Sequence, residues 1–414
     1  MHRAQVLTLT SGLPLQGVRV VNFGWVWAGP VIGQTLGFLG AEVFKVESRA
    51  RLDPMRRIPP FQGGTYDPDR SYSNHACWAG NGSVSLNLKE PEALDLARRL
   101  IAMSDVVIEN FSPGVMQRLG LGYAELRALR NDIVMLSMPA AGSTGPMKDL
   151  RTYGTTLTAL TGLDSVTGYK DVGPAPVENA FSDPYTGLLA AFAIVAALRH
   201  RRVSGRGQHI ELSQQEAVMP LMGPAFMDYL MNGIVAGPKG NEHPQSAASP
   251  HGVFRCNGID RWVSIVCYRD EEWHSLLEAM CHPHGLATDQ FATTGQRVAR
   301  IEDVHRAIGE WTERRDVTEV VELLQRHGVA AAPVTTTADL ATDPHFRMRG
   351  TFVRATHPLG FEEPIYGTYV KMSGSQPVVR PGPSLGQDNE YVFKQLIGLS
   401  DEQYTDLAAR QVIF

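Results

Sequence analysis

Short apolar runs alternate with amphipathic stretches from residue 17 onward, and their order predicts a parallel sheet layered between helices. "GVRVVNF" (17–23) reads as a buried strand, and "AGPVIGQTLGFLGA" (28–41) as the glycine-punctuated turn and helix that follow it. "EVFKVES" (42–48) alternates as a second strand. The pattern repeats with an amphipathic helix "PEALDLARRLIAMS" (91–104), a strand "DVVIEN" (105–110), a helix "GYAELRALR" (122–130) and a strand "DIVMLSM" (132–138). Each strand gives way to a polar or glycine-containing turn, where an open α/β sheet binds its ligand.

The stretch "SDPYTGLLAAFAIVAALRH" (182–200) runs apolar after Asp183 and Pro184, with no charge until Arg199. It predicts a fully buried helix. Asp183 suits its N-cap and Pro184 its first position, where a missing N–H costs nothing. A carboxylate mounted on a rigid element also suits a nucleophile, and these residues by themselves leave both roles open. The helix ends near "RRVSGRGQ" (201–208), a strand "HIELS" (209–213) follows, and a further helix is expected from Gln214 to Leu230. The glycine- and proline-rich stretch 232–252 reads as a connection between domains. Beyond it come two strands around an Asn-Gly turn (252–270), helices near 271–280 and 302–327, and a strand, helix and strand over 328–358.

At 414 residues the chain is too long for one ordinary core, so two domains are expected. With 43% hydrophobic and 20% charged residues it is a folded chain and not a disordered one. A net charge of -5 offers no basic excess for nucleic acid. The apolar run from Gly187 to Leu198 is too short to span a bilayer, and the first residues lack the apolar core of a secretion signal. Four scattered cysteines (Cys77, Cys256, Cys267, Cys281) fit a reduced, cytoplasmic protein. No phosphate loop and no G-x-S-x-G elbow is present, and the glycines at 29, 33, 37 and 40 miss the dinucleotide spacing. "CHPH" (281–284) has no second half at zinc spacing and reads as a helix end. Trp25 and Trp27 follow the first strand and are candidate pocket walls as well as core aromatics.

Five ordered blocks carry a more specific signal: "GVRVVNFGWVWAGP", "LGAEVFKVES", "NLKEPEALDLARRLIAMSDVVIENFSPGVMQRLGLGY", the Asp183 segment with "SGRGQHIELS", and "ASPHGVFRCNGIDRWVSI". In this order the chain resembles family III CoA-transferases, and the likeness continues through "ATDPHFRMRGTFV" (341–353) and "LGQDNEYV" (385–392). The resemblance implies an α/β fold with a large Rossmann-like, CoA-binding domain (1–227 with 336–414) and a smaller α/β domain (228–335). It also implies an interlocked homodimer, or a heteromer with a related chain, and no nucleic-acid or membrane partner. The substrates implied are an acyl-CoA and a free carboxylic acid, with no permanently bound cofactor and no metal. In such enzymes an aspartate attacks the donor thioester, giving a mixed anhydride and CoA thiolate. The thiolate then takes the aspartyl carbonyl as a thioester, the acceptor acid forms a second anhydride, and the thiolate finally leaves with the new acyl group. That aspartate falls on Asp183.

For coenzyme A, the resemblance implicates Asn110 and Phe111 in "ENFSPG" (109–114), Arg118 a turn or two later, Arg49 and Arg51 after "KVES", and Arg151 near the entrance. Guanidinium groups suit phosphate through paired hydrogen bonds. Trp25, Trp27, Ala28 and Tyr153 are expected in the substrate pocket. Two departures stand out. The stretch "AGNGSVSLNL" (79–88) lacks the basic pair that relatives often carry there, and Trp25 and Trp27 replace polar residues of formyl-CoA transferase, which favours a bulkier or aromatic dicarboxylic acid, with succinyl-CoA as donor. The alternatives are an α-methylacyl-CoA racemase-like isomerase and a partner-dependent subunit. The racemase needs a proton-transfer pair, yet no histidine stands between Arg151 and His200.

Overall fold

The computed structural model describes residues 12–177, 180–283 and 285–414. Residues 1–11, on which part of the leader reading rests, and His284 of "CHPH" lie outside that set. By their internal contacts the described residues divide into two compact units, one of residues 12–161, 177, 180–223 and 344–414, the other of residues 162–176, 224–283 and 285–343.

The first unit is built on six parallel strands: β1 (Arg19–Asn22), β2 (Glu42–Glu47), β3 (Gly82–Ser85), β4 (Val106–Glu109), β5 (Val134–Ser137) and β6 (His209–Glu211). Their spatial order is 3-2-1-4-5-6. The chain winds from β1 toward one edge and restarts at β4 toward the other, so the topology reverses between β1 and β4. In such sheets a ligand crevice opens at that reversal.

Successive side chains of a strand point to opposite faces, and both faces here are covered. Val21, Phe44, Val84 and Val107 pack under the helix Pro91–Ala102, while Val20, Val43, Val106 and Val134 pack under the helices Ala28–Phe38 and Ser182–Ser204. The expected alternation in 42–48 therefore has a different meaning. Its polar positions Lys45 and Glu47 are buried beside Val43, Phe44 and Val46 and form ion pairs with Asp53 and Arg56.

β3 would leave an open edge, which aggregates unless it is paired or covered. A segment far along the chain covers it. Ser83 N–H donates to Asp388 Oδ2 at 2.8 Å, Ser85 N–H donates to Asn389 Oδ1 at 2.9 Å, and Leu86 forms an antiparallel bridge with Ile413.

The second unit carries a three-stranded antiparallel sheet of His251–Arg255, Trp262–Val266 and Ala330–Pro333. Helices Asp270–Ala279, Ile301–Thr312 and Val317–Arg326 close on it through Trp273, Ile308 and Leu324. The single helix expected over 302–327 is thus two, because Asp316 caps a new start by accepting from the Thr318 N–H. The helix expected from Gln214 to Leu230 also breaks. Pro220 sits in a short tight turn between Gln214–Val218 and Gly223–Asn232.

The helix Ser182–Ser204 is not fully buried. Ala190, Ile194 and Ala197 face the sheet, but Phe192 is 74% exposed and Leu188 and Val195 are exposed beside it. Among the described residues no helix is long and apolar enough to cross a membrane.

Candidate active site

At the carboxyl ends of β1 and β4 two loops meet, and the Asn110 side chain ties them. Its Nδ2 donates to the Trp25 carbonyl at 3.0 Å, and its Oδ1 accepts from the Trp25 N–H at 2.8 Å. Both amide atoms are thereby used on backbone. A cavity of about 1160 Å³ opens at this reversal point, and Asp183, Trp25, Phe111, Ala28, Leu157 and Gln214 are among its walls.

Asp183 reaches the cavity on a rigid mount. Ala180 has φ 49°, a left-handed turn that starts the helix at Ser182, with Phe181 at the cap position. The expected N-cap role is therefore corrected. Asp183 lies inside the first turn, and its carboxylate makes no capping hydrogen bond. The mount is tightly packed on two sides. A Cβ on Gly154 would lie 2.2 Å from the Ala180 Cβ, and a Cβ on Gly187 would lie 3.0 Å from the Ala28 carbonyl oxygen. Ser182 Oγ donates to the Gly154 carbonyl at 3.1 Å, and Thr158 Oγ1 donates to the same oxygen at 2.8 Å. Small residues and short hydroxyls thus bring three helices within reach of one carboxylate.

That carboxylate is 7% exposed and makes no hydrogen bond among the described residues. Burial alone pushes its pKa up from 3.8 to about 6. The helix N-terminus favours the charged form, but no cation among the described residues neutralises it. The side chain is ionised at neutral pH and poorly solvated, which suits a nucleophile. Glu47 also lines the cavity and is its opposite. Burial raises its pKa, yet Lys45, Arg56 and Ser83 outweigh that and hold it at about 2. Among the described residues no histidine lines the cavity.

The basic groups expected from the sequence separate. Arg51, Arg118 and Arg151 line the cavity, whereas Arg49 is not among its walls. Arg57 and Lys89 also line it, and sequence reasoning did not single them out. Lys89 stands just past the strand in which a basic pair was sought, so its position at a strand end was the available signal. Arg51 lies over the Trp25 ring at 4.8 Å, and Phe111 meets that ring edge-on at 6.4 Å. Tyr153 is 73% exposed at the cavity wall. Trp27 does not share this wall. It packs against Met55, Cys77 and Trp78 instead.

Comparisons with known proteins bear on the family and the fold. The model of CoA-transferase family III matches residues 15–389. A succinyl-CoA–D-citramalate CoA-transferase of Chloroflexus aurantiacus is 31% identical, over 97% of this chain and 98% of its own. The beta subunit of a succinyl-CoA–L-malate CoA-transferase from the same organism is 32% identical, over 98% of this chain and 99% of its own. The crystal structure of a CAIB/BAIF family protein from Brucella suis superposes with a TM-score of 0.84 at 31% identity, covering 93% of this chain and all of that one. With the parallel sheet, the crevice and the extent of these matches taken together, this chain belongs to CoA-transferase family III.

Proposed function

We propose that this enzyme moves CoA from succinyl-CoA to a branched or bulky dicarboxylic acid, with Asp183 as the nucleophile. The observation that carries the reading is a buried, unneutralised carboxylate on a cavity wall at the sheet's reversal point. An Asp183 oxygen attacks the thioester carbonyl, the C–S bond breaks, and the products are a mixed anhydride and CoA thiolate. The thiolate attacks the aspartyl carbonyl and the donor acid leaves as its carboxylate. The acceptor carboxylate displaces the thiolate from the aspartyl thioester, and the thiolate then attacks the acceptor's acyl carbon, which frees Asp183. The tetrahedral oxyanions need fixed donors. The N-terminus of the helix Ala28–Phe38, which no side chain caps, supplies backbone N–H groups at the same cavity.

Arg51, Arg57, Lys89, Arg118 and Arg151 serve the CoA phosphates and the acid's second carboxylate. Trp25, Phe111 and Leu157 form the apolar wall that admits a substituted acid. Relatives named for D-citramalate and L-malate favour an acceptor with two carboxyl groups. We assign a homodimer of the interlocked kind, supported by the exposed apolar residues Phe192 and Leu188 on one helix and Leu230, Met231 and Val235 elsewhere. Light scattering on the purified chain tests that assembly, and a mass requiring a second gene product would replace it.

The test of the reaction is chemical. Hydroxylamine should inactivate the enzyme only when succinyl-CoA is present, because it captures an activated aspartyl carbonyl and not a free carboxylate. Peptide mass spectrometry should place the hydroxamate on Asp183. Inactivation without donor, or a label elsewhere, would end this assignment. A screen of carboxylic acids against succinyl-CoA then identifies the acceptor.

A further inference from the structure

The turn between β1 and the helix Ala28–Phe38 is held from three directions. Trp25 is clasped by the Asn110 amide, as above. Val26 and Trp27 pack against Met55, Cys77 and Trp78. Between them Val26 has φ 63°, a left-handed conformation that a β-branched residue keeps only under constraint. Its N–H donates to Asp53 Oδ1 at 3.4 Å, and the same oxygen accepts from the Met55 N–H at 3.0 Å.

Asp53 is 2% exposed and is not among the cavity's lining residues. Its other oxygen meets Lys45 Nζ at 3.0 Å. That ammonium also pairs with Glu47 Oε2 at 3.0 Å, donates to Asn74 Oδ1 at 3.3 Å and lies 4.1 Å from the Trp78 ring centroid. Glu47 is gripped by Arg56, whose Nε and Nη2 donate to its two oxygens at 2.7 and 2.6 Å. The chain Arg56–Glu47–Lys45–Asp53 therefore ends on one strained peptide of the cavity wall. A buried ion pair is poor evidence of stability, because desolvating two charges offsets their attraction. Its location beside a strained turn points to another use.

We propose that Asp53 is a positioning residue: it fixes the Val26 peptide in its left-handed state, and Lys45 keeps the carboxylate aimed. The role rests on the reading in which Asp183 reacts in this cavity. Val26 and Ala28 both line it, and the helix that begins at Ala28 touches the Asp183 helix at Gly187. Releasing Val26 to an extended conformation would turn the Trp25 wall and the first N–H groups of that helix away from the reacting carbonyl. Substrate grip would change less than the chemical step, because Lys89, Arg118 and Arg151 lie on other segments, although Arg51 and Arg57 flank Asp53.

Two double variants separate this role from the ion pair's contribution to folding. Lys45→Met with Asp53→Asn removes both charges and keeps an oxygen for the Val26 N–H. Lys45→Met with Asp53→Leu removes both charges and the oxygen. The readout is single-turnover release of CoA thiol from succinyl-CoA with hydroxylamine capturing the aspartyl carbonyl, which needs no identified acceptor. The asparagine pair should keep the maximal single-turnover rate within about threefold of the parent, and the leucine pair should lose about 10- to 100-fold, with the half-saturating succinyl-CoA concentration changing by less than about threefold. Should the leucine pair not fold, Asp53→Ser in the same Lys45→Met background takes its place, since that hydroxyl is too short to reach Val26. Equal maximal rates in the oxygen-bearing and oxygen-free variants would overturn the proposal, as would a loss confined to the half-saturating concentration. An active Asp183→Asn enzyme would instead remove the reading beneath it, so the two failures are distinguishable.

Discussion

Replacing Asp183 with asparagine should stabilise the protein while stopping the reaction. A carboxyl whose pKa rises from 3.8 to about 6 on folding is penalised in its ionised form. At about 1.4 kcal/mol for each pH unit, that penalty is about 3 kcal/mol. It is fully present above pH 6, where the native carboxylate is charged, and fades as the pH falls from 6 toward 3.8. An asparagine amide has the shape of the neutral carboxyl and the same lack of partners, so the comparison isolates the charge. Because the unfolding entropy of a chain of this length is large, 3 kcal/mol corresponds to a rise in Tm of only about 3 °C. Thermal unfolding of parent and Asp183→Asn between pH 4 and pH 8 measures it, with coenzyme A absent throughout. The gain should be greatest at pH 7 to 8 and nearly gone at pH 4. A variant no more stable than the parent at pH 7.5, or a gain that does not shrink with acid, would refute the claim that this carboxylate is held at a cost.

The same perturbed group should set the pH dependence of turnover under the proposed mechanism: kcat/KM for the acyl-CoA should fall about tenfold per pH unit below pH 6, as Asp183 takes up its proton. A flat profile down to pH 5 would assign the limb to another group. Gly154→Ala places a methyl 2.2 Å from the Ala180 Cβ, which only a backbone shift relieves. It should cost about 1 to 3 kcal/mol in denaturant unfolding and reduce turnover with it. Trp25→Ala should change the ranking of acceptor acids in a competition assay, because its ring lines the cavity. Trp27→Ala should leave that ranking alone and cost about 2 kcal/mol of stability, because its ring packs on Met55, Cys77 and Trp78.

Strand and helix order was readable because period-2 and period-3.6 patterns alternate cleanly through the first 140 or so residues. What periodicity could not carry was direction at the loops. Trp25 and Trp27 stand two apart and would share one face of a strand, but the left-handed Val26 between them sends one ring to the cavity and the other to a separate cluster. Arg49 and Arg51 differ in the same way, and nothing in their flanking residues says which one faces the ligand space. Asp53, Arg56 and Asn74, which meet Lys45 and Glu47, come from 53–74, a stretch of short turns and helix starts whose path no pattern encodes. Asp183 drew attention only as a cap or a nucleophile, and the unusual turn at Ala180 took it out of the cap position. The resemblance supplied the reaction expected of it. The residues by themselves supplied only a carboxylate at the head of an apolar helix.

The cover over the edge of β3 imposes an order on biosynthesis. Ser85 meets its partner Asn389 across a separation of 304 residues. At a translation rate of about 5 to 20 residues per second, the nascent sheet waits roughly 15 to 60 s with that edge unpaired. During this interval, once Glu211 is made, all six strands can pack, yet β3 at the edge offers its N–H groups to any passing chain. The late segment acts as a latch on an otherwise finished sheet. Expression yield should therefore depend on how quickly that latch arrives, and on what shields the edge until it does.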